Sequence, residues 1–230
     1  MLSKYKAVFF DVGGTLLRVE PSVGEVYAIY ARPFGFKGSA EELNQLFHKE
    51  WTNFGGIESL GKKSGEQAER NFWKSLVFQV FKHSGGLENF EHYFEIIYEA
   101  FTRKDHWHVF DDVIGSDILK KLKKSGVTLG VVSNWDSRLH TILKSTGLAE
   151  HFDFILASAE VGSAKPDKKI FIEAIRRSGV DSTEVCHIGD DLHADIQGAN
   201  SVGIEAILID RNKKHKKNGL TTVSSFQELL

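Results

Sequence analysis

Four short polar stretches carry residue types suited to chemistry: Asp11-Val12-Gly13-Gly14-Thr15, Ser133-Asn134, Lys165-Pro166-Asp167, and Gly189-Asp190-Asp191 followed by Asp195. Should Asp11, Asp190 and Asp195 converge, their carboxylates would repel unless protonated or neutralised by a cation. A hard cation with oxygen ligands, Mg²⁺ above all, relieves that repulsion and also binds phosphoryl oxygens. Lys165 offers a second positive charge, for an anionic substrate or for Asp11 itself. Ser133 and Asn134, with loop N–H groups at a helix start, can hold the remaining phosphoryl oxygens. Gly13 and Gly14 let the backbone approach closely and take dihedrals that other residues resist. Such a set suits phosphoryl transfer, where positioning and charge neutralisation supply most of the catalysis.

Bringing these groups together requires a scaffold that ends several strands at one edge, and the flanking sequence has that texture. An apolar strand over 5–10 runs straight into Asp11. From Asp112 onward, β-rich runs at 129–132, 153–156, 185–188 and 206–209 alternate with helical patterns. Helices are expected over 136–145, from Pro166 and Asp167 up to Gly179, around 194–201, and from Ser225 to the C-terminal residue. This alternation predicts βαβ units around a parallel sheet, and such sheets bind ligands at the carboxyl ends of their strands. Between 18 and 108 the texture changes. Phe72, Trp73, Leu76, Val77, Val80 and Phe81 recur at helical spacing, and Tyr93, Ile96, Ile97, Ala100 and Phe101 form a second stripe. Both stripes read as the core of a helical module. The expected fold is therefore α/β: a Rossmann-like parallel-sheet core over 1–17 and 109–230, with an inserted, mainly helical cap over 18–108. An insertion of that size after the first strand usually covers a site.

Composition narrows the function classes. At 230 residues the chain can bury most of its apolar surface without staples. A net charge of -2 gives no reason to expect nucleic acid or an anionic membrane as partner, and the basic cluster at 213–217 reads as a solvated turn. The single Cys186 cannot form an internal disulfide, which suits a reducing compartment. The apolar run at 7–10 is too short for a secretory signal, and no stretch approaches the roughly 20 apolar residues that span a bilayer. These features suggest a cytoplasmic protein, and the phosphoryl-transfer chemistry of the polar stretches suggests a small phosphorylated metabolite as its substrate. The pattern specifies no oligomeric state.

The four polar stretches, in their order, resemble motifs one to four of the haloacid dehalogenase-like (HAD) hydrolase superfamily, and 106–136 looks like that family's re-entry from cap to core. The block at 18–108 is similar in position and size to the cap of the subfamily with an insertion after motif one. The resemblance implies Asp11 as nucleophile, forming an aspartyl-phosphate that water hydrolyses. It implies Mg²⁺ held by Asp11, the backbone carbonyl of Gly13 and Asp190. Asp195 or Asp191 would orient metal-bound water or Lys165. Ser133, with Asn134, would bind the transferring phosphoryl group.

One position departs from the family's phosphatases. They usually carry a second Asp two residues after the nucleophile, as acid and base worth about 10²- to 10⁴-fold; here the position is Gly13. A residue such as His106 or His108 could substitute, the substrate could have a good leaving group such as an acyl or aryl phosphate, or turnover could be slow. Two rival readings follow: a phosphonatase-type C–P hydrolase using Lys62 or Lys63 as an imine-forming amine, or a low-activity member acting as a binding protein. Dehalogenation is disfavoured, because Gly13 supplies no aromatic ring there and Asp190 calls for a cation. Plainer readings stand beside several residues. Asp191 is either a helper of the metal site or a helix cap, and Asp136 reads as an N-cap. Cys186 and His187 read as strand-interior packing. Trp135 and Trp107 lie near the cap hinge, as substrate contacts or as packing. Arg32 faces either the site or solvent.

Overall fold

Four consecutive apolar residues, Ala7–Phe10, form strand β1, and all four are buried. Val8 and Phe10 enter one apolar cluster, whereas Ala7 and Phe9 enter another on the opposite face. A strand clothed on both sides in this way belongs at the middle of a parallel sheet. The computed structural model describes residues 2–215 and 219–230. Within the basic cluster, Lys213, Lys214 and His215 are exposed, while Lys216 and Lys217 lie outside the described residues.

After β1 the chain forms the short strand β2 (Leu17–Val19) and enters four helices: α1 (Val23–Ala31), α2 (Ala40–Phe54), α3 (Glu66–His83) and α4 (Phe90–Ala100). They enclose a separate aromatic-rich core that includes Tyr27, Phe72, Leu76, Phe81, Tyr93 and Ile97. Strand β3 (Trp107–Val109) brings the chain back, pairing antiparallel with β2 so that Val19 faces Trp107. This two-stranded hinge ties exit to re-entry. Three-residue strands about ninety positions apart leave no local periodicity, so neither was expected from the sequence.

Helices α5 (Asp111–Ser116) and α6 (Ile118–Lys124) lead to β4 (Thr128–Ser133), followed by α7 (Arg138–Ser145), β5 (Phe154–Ala157), α8 (Ser158–Val161) and α9 (Lys168–Ser178). Asp167 caps α9 by accepting from the Lys169 N–H, and Gly179 closes it in the left-handed conformation. Those are the start and stop signals of its sequence. Next come β6 (Val185–Gly189), a π-wound turn at Leu192–Gln197, α10 (Gly198–Asn200), β7 (Glu205–Ile209) and β8 (Thr222–Val223). The six-stranded sheet runs β5-β4-β1-β6-β7-β8, and every neighbouring pair in it is parallel. The fold is the expected α/β class, a Rossmann-like core with an inserted helical cap. Two details differ. The 194–201 helix is a wide π turn plus a single α turn, and the C-terminal helix is only a 3₁₀ turn at Phe226–Leu229 behind the unexpected edge strand β8. No helix among the described residues is long and apolar enough to cross a membrane.

Chain direction explains where the site lies. From β1 the chain crosses to β4 and β5, and from β6 it crosses the other way to β7 and β8. The crevice between β1 and β6 is thus the point where the winding reverses, and ligands favour its carboxyl side.

Candidate active site

Asp11 follows β1 directly, and its N–H donates to the Ile188 carbonyl at 2.9 Å, carrying the β1–β6 ladder one residue past the strand. This fixes the backbone beneath a buried carboxylate. Its Oδ1 accepts from the Ser133 hydroxyl at 2.9 Å and from Lys165 Nζ at 2.7 Å. The same ammonium donates to Asp195 Oδ1 at 2.6 Å, so one lysine, only 2% exposed, bridges two carboxylates. Asp195 is held further by His187 Nε2 at 2.8 Å and by the Asp191 N–H, which reaches Oδ2 at 3.1 Å. Asp190 accepts from the Thr15 hydroxyl at 3.2 Å. Carboxylate oxygens of Asp11, Asp190 and Asp195 all lie within 4.8 Å of one another.

Three carboxylates crowd round one ammonium that pairs with only two of them, and the electrostatics register the imbalance. Burial opposes ionisation of Asp195, but Lys165 and His187 overcome it and hold its carboxyl well below the usual range. Burial raises Asp11 against the pull of Lys165. Asp190 contacts no cation among the described residues; burial, with the nearby charges of Asp11 and Asp195, pushes it up to about 8. Burial alone would lower Lys165, yet its two carboxylates keep it firmly protonated. Because Asp195 is committed to Lys165, His187 and a backbone N–H, the uncompensated charge falls on Asp11 and Asp190. That oxygen-only pair, at the edge of a cavity, fits a hard divalent cation.

Two of the neighbouring glycines are required by this packing. Gly14 has φ +76°, and a Cβ there would collide with the Asp190 carboxylate; a Cβ on Gly189 would collide with Asp195. Gly13 is different. A Cβ there would meet only Trp135 Cζ3, at 3.4 Å, so the backbone itself accommodates a side chain.

Several expected residues serve other tasks. Both ends of the Asn134 amide bond the backbone of Lys165, at 2.6 Å to its N–H and 2.9 Å to its carbonyl. Asn134 therefore holds the lysine loop and is not free to bind a phosphoryl oxygen. Asp191 caps the π-wound turn by accepting from the N–H groups of His193 and Ala194; the helix-cap alternative describes its side chain. His106 is buried against Tyr30, 3.0 Å from its hydroxyl, and His108 pairs with Asp111 at 3.1 Å. Neither histidine lines the cavity over Asp11. Lys62 and Lys63 are exposed and also absent from its wall. Arg32 is exposed and bonds the Phe36 carbonyl. Asp136 does accept from the Arg138 N–H, and it also binds the Arg138 guanidinium and the Tyr98 hydroxyl of α4.

Two contributors escaped the sequence. His187 was assigned to packing, and it does sit edge-on to Phe171. A polar ring in a strand buried on both faces needs a partner, however, and that signal pointed to Asp195. Arg211 clamps the nucleophile loop by donating to the carbonyls of Gly14 and Thr15, both at 2.9 Å, while pairing with Asp112. It stacks over Phe110 at 3.9 Å. Nothing local in the sequence marks that role.

The carboxylates open into a cavity of about 630 Å³ between core and cap. Trp107 and Trp135 both line it, 5.2 Å apart, which answers the question left at the hinge. From the cap, α3 is latched down: Glu66 accepts from Ser137, and Glu69 from Ser158, whose hydroxyl accepts from the Trp135 N–H.

Fold and site together define a capped α/β protein with an acid-rich crevice. Residues 5–203 match the haloacid dehalogenase-like hydrolase family, and the chain belongs to that family. Haloacid dehalogenase-like hydrolase domain-containing protein 3 from Homo sapiens is 34% identical over 204 residues, covering 87% of this chain and 80% of that protein. The crystal structure of a HAD phosphatase from Thermococcus onnurineus superposes with a TM-score of 0.68 at 29% identity, covering 97% and 95% of the two chains. L-2-haloacid dehalogenase from Xanthobacter autotrophicus reaches a TM-score of 0.76 at 17% identity, covering 98% and 96%, a likeness of fold alone.

Proposed function

We propose that this hydrolase is a Mg²⁺-dependent phosphatase of a small phosphorylated metabolite, with Asp11 as nucleophile. One observation carries the reading: Asp11 and Asp190 share a crevice in which Lys165 neutralises only part of the acidic charge. Asp11, Asp190 and the backbone carbonyl of Gly13 would hold the ion. When bound, it neutralises charge on the phosphoryl oxygens.

The chain's own groups account for the remaining steps. Ser133 and Lys165 orient the Asp11 carboxylate and favour its ionised, attacking form against the opposing effect of burial. A new bond forms from an Asp11 oxygen to phosphorus as the ester P–O bond breaks, its electron pair leaving with the alcohol oxygen. Water then attacks phosphorus, restoring the Asp11 carboxylate and releasing inorganic phosphate and a proton. Lys165, facing both Asp11 and the incoming anion, offsets the charge that builds up. Asn134, Asp195 and His187 act at one remove, by holding Lys165. A cytoplasmic setting accords with the lone buried Cys186.

The test is phosphate release from an aryl phosphate with Mg²⁺, with EDTA, and with Asp11→Asn. Metal-dependent turnover that the substitution abolishes is expected. Turnover indifferent to both, or chloride release from a 2-haloacid in place of phosphate release, overturns the reading. Tight Mg²⁺ binding by calorimetry with background hydrolysis over a metabolite panel would favour a binding protein. Among the described residues the phosphonatase alternative gains no free amine in the cavity, whose one lysine there is the doubly paired Lys165.

A further inference from the structure

The cavity over Asp11 is walled by rings. On the cap side Phe47, Trp51 and Trp73 form a continuous wall, with Phe47–Trp51 centroids 6.1 Å apart at 28° and Trp51–Trp73 5.6 Å apart at 31°. On the core side stand Trp107 and Trp135, and Trp135 reaches to within 3.4 Å of where a Gly13 side chain would begin. Polar residues in the lining are largely spent on the protein. The Asn44 amide bonds the Gly24 N–H and the Ser22 hydroxyl, and the Arg138 guanidinium bonds Asp136 and the Tyr98 carbonyl. One exception is the Trp73 indole N–H, buried without a partner among the described residues. A sugar or polyol phosphate would leave several hydroxyls unpaired against this wall, at a steep desolvation cost. A flat aromatic body would stack on it.

The reacting end points the same way. Position 13 supplies no acid to protonate a departing oxygen, and His106 and His108 stay outside the cavity; His48, which does line it, is an exposed ring beside Phe47 on the cap wall. Glu58 is the one cap carboxyl in the lining, but it folds back toward its own turn, where a Cβ on Gly56 would strike it. An ester whose oxygen leaves readily as an anion needs no acid; a phenolate does so and an alkoxide does not.

We propose that the substrate is an aryl phosphate, the phosphate ester of a phenol-like hydroxyl on a flat aromatic body. This deepens the phosphatase reading and rests on it. In the first step the phenolic oxygen leaves with the P–O electron pair and takes its proton from water, while Asp11 receives the phosphoryl group.

The experiment measures kcat/KM with Mg²⁺ for phenyl phosphates of graded phenol acidity, 1-naphthyl phosphate, glucose 6-phosphate and acetyl phosphate. Naphthyl phosphate should exceed glucose 6-phosphate by about 10²- to 10⁴-fold, the range that acid catalysis otherwise supplies. Rates across the phenols should rise steeply with acidity. Trp51→Leu should raise KM for naphthyl phosphate about tenfold, and raise it far less for acetyl phosphate, a loss of the size that apolar pocket contacts confer. Trp73→Phe is the milder second variant, with circular dichroism confirming that each has folded. Equal or better turnover of glucose 6-phosphate overturns the substrate class and leaves the phosphatase standing. So does Glu58→Gln or His48→Gln slowing poor leaving groups selectively, for that residue would then be the acid. No phosphate from any compound, acetyl phosphate included, overturns the phosphatase reading itself.

Discussion

The two walls of the cavity are built on opposite principles. At the sheet edge each carboxylate has specified partners: Ser133 and Lys165 on Asp11, His187 and a backbone N–H on Asp195, Thr15 on Asp190. Across from it, the cap presents aromatic surface whose members touch each other and make few directional bonds. A network of buried charges fails when one member is removed, whereas an apolar wall loses contact area a little at a time. Chemistry therefore belongs to the first wall and recognition to the second, and substitutions should separate them.

The largest effect is expected from Lys165→Met. It leaves Asp11 and Asp195 facing each other, buried and uncompensated, which costs about 3–5 kcal/mol when one partner of a buried pair is lost. Because 1 kcal/mol moves the melting temperature of a chain this size by roughly 2–4 °C, scanning calorimetry should record a fall of about 10 °C, together with loss of turnover. Magnesium should recover part of that fall by neutralising the stranded carboxylates. Melting unchanged by the substitution would mean that the bridge is not what holds this edge together.

A sharper contrast lies within the nucleophile loop. Gly14→Ala forces both a left-handed backbone and a collision with Asp190, so about 1–3 kcal/mol and most of the activity should be lost. Gly13→Ala, one residue earlier, meets only the far edge of Trp135 and should cost under about 1 kcal/mol. Urea unfolding of the two variants side by side is the measurement. If both lose the same stability, steric demand does not explain the pair of glycines.

These contrasts also show what the sequence could and could not reveal. The sheet core was legible because β1, β4, β6 and β7 are short apolar runs bounded by polar loops, and because Asp167 and Gly179 mark the ends of α9. Asp11, Ser133, Lys165, Asp190 and Asp195 follow strand ends or sit in loops next to them, so a parallel sheet brings them to one edge. Division of labour within that edge was not legible. Asn134 follows Ser133 directly but turns toward the lysine loop, and Asp191 follows Asp190 yet caps a turn. The direction of Asn134 depends on a contact more than twenty positions away, as does the grip of Arg211 on Gly14 and Thr15, whereas Asp191 is turned by N–H groups two and three residues on. The β2–β3 hinge escaped for the same reason, since its pairing spans the whole cap.

The last contrast concerns the seam between the two walls, where α3 meets the core. Glu69 is buried, with one carboxyl oxygen accepting from Ser64 and Ser158 and the other without a partner among the described residues. Burial raises its pKa from an ordinary 4.5 to about 7, with the nearby charges of Asp136 and Glu66 adding to the rise against the two serine bonds. The folded state thus favours the protonated form. Stability from this group is complete below about pH 4.5 and declines as pH rises through about 7, by roughly 3 kcal/mol in all. Glu69→Gln keeps an accepting oxygen but cannot ionise. At pH 5 the native chain should melt at or above the variant, and at pH 8 the variant should melt higher by about 6–12 °C. Comparing the two chains cancels the titration of every other group, so parallel melting curves from pH 5 to 8 would show that Glu69 carries no proton at the seam.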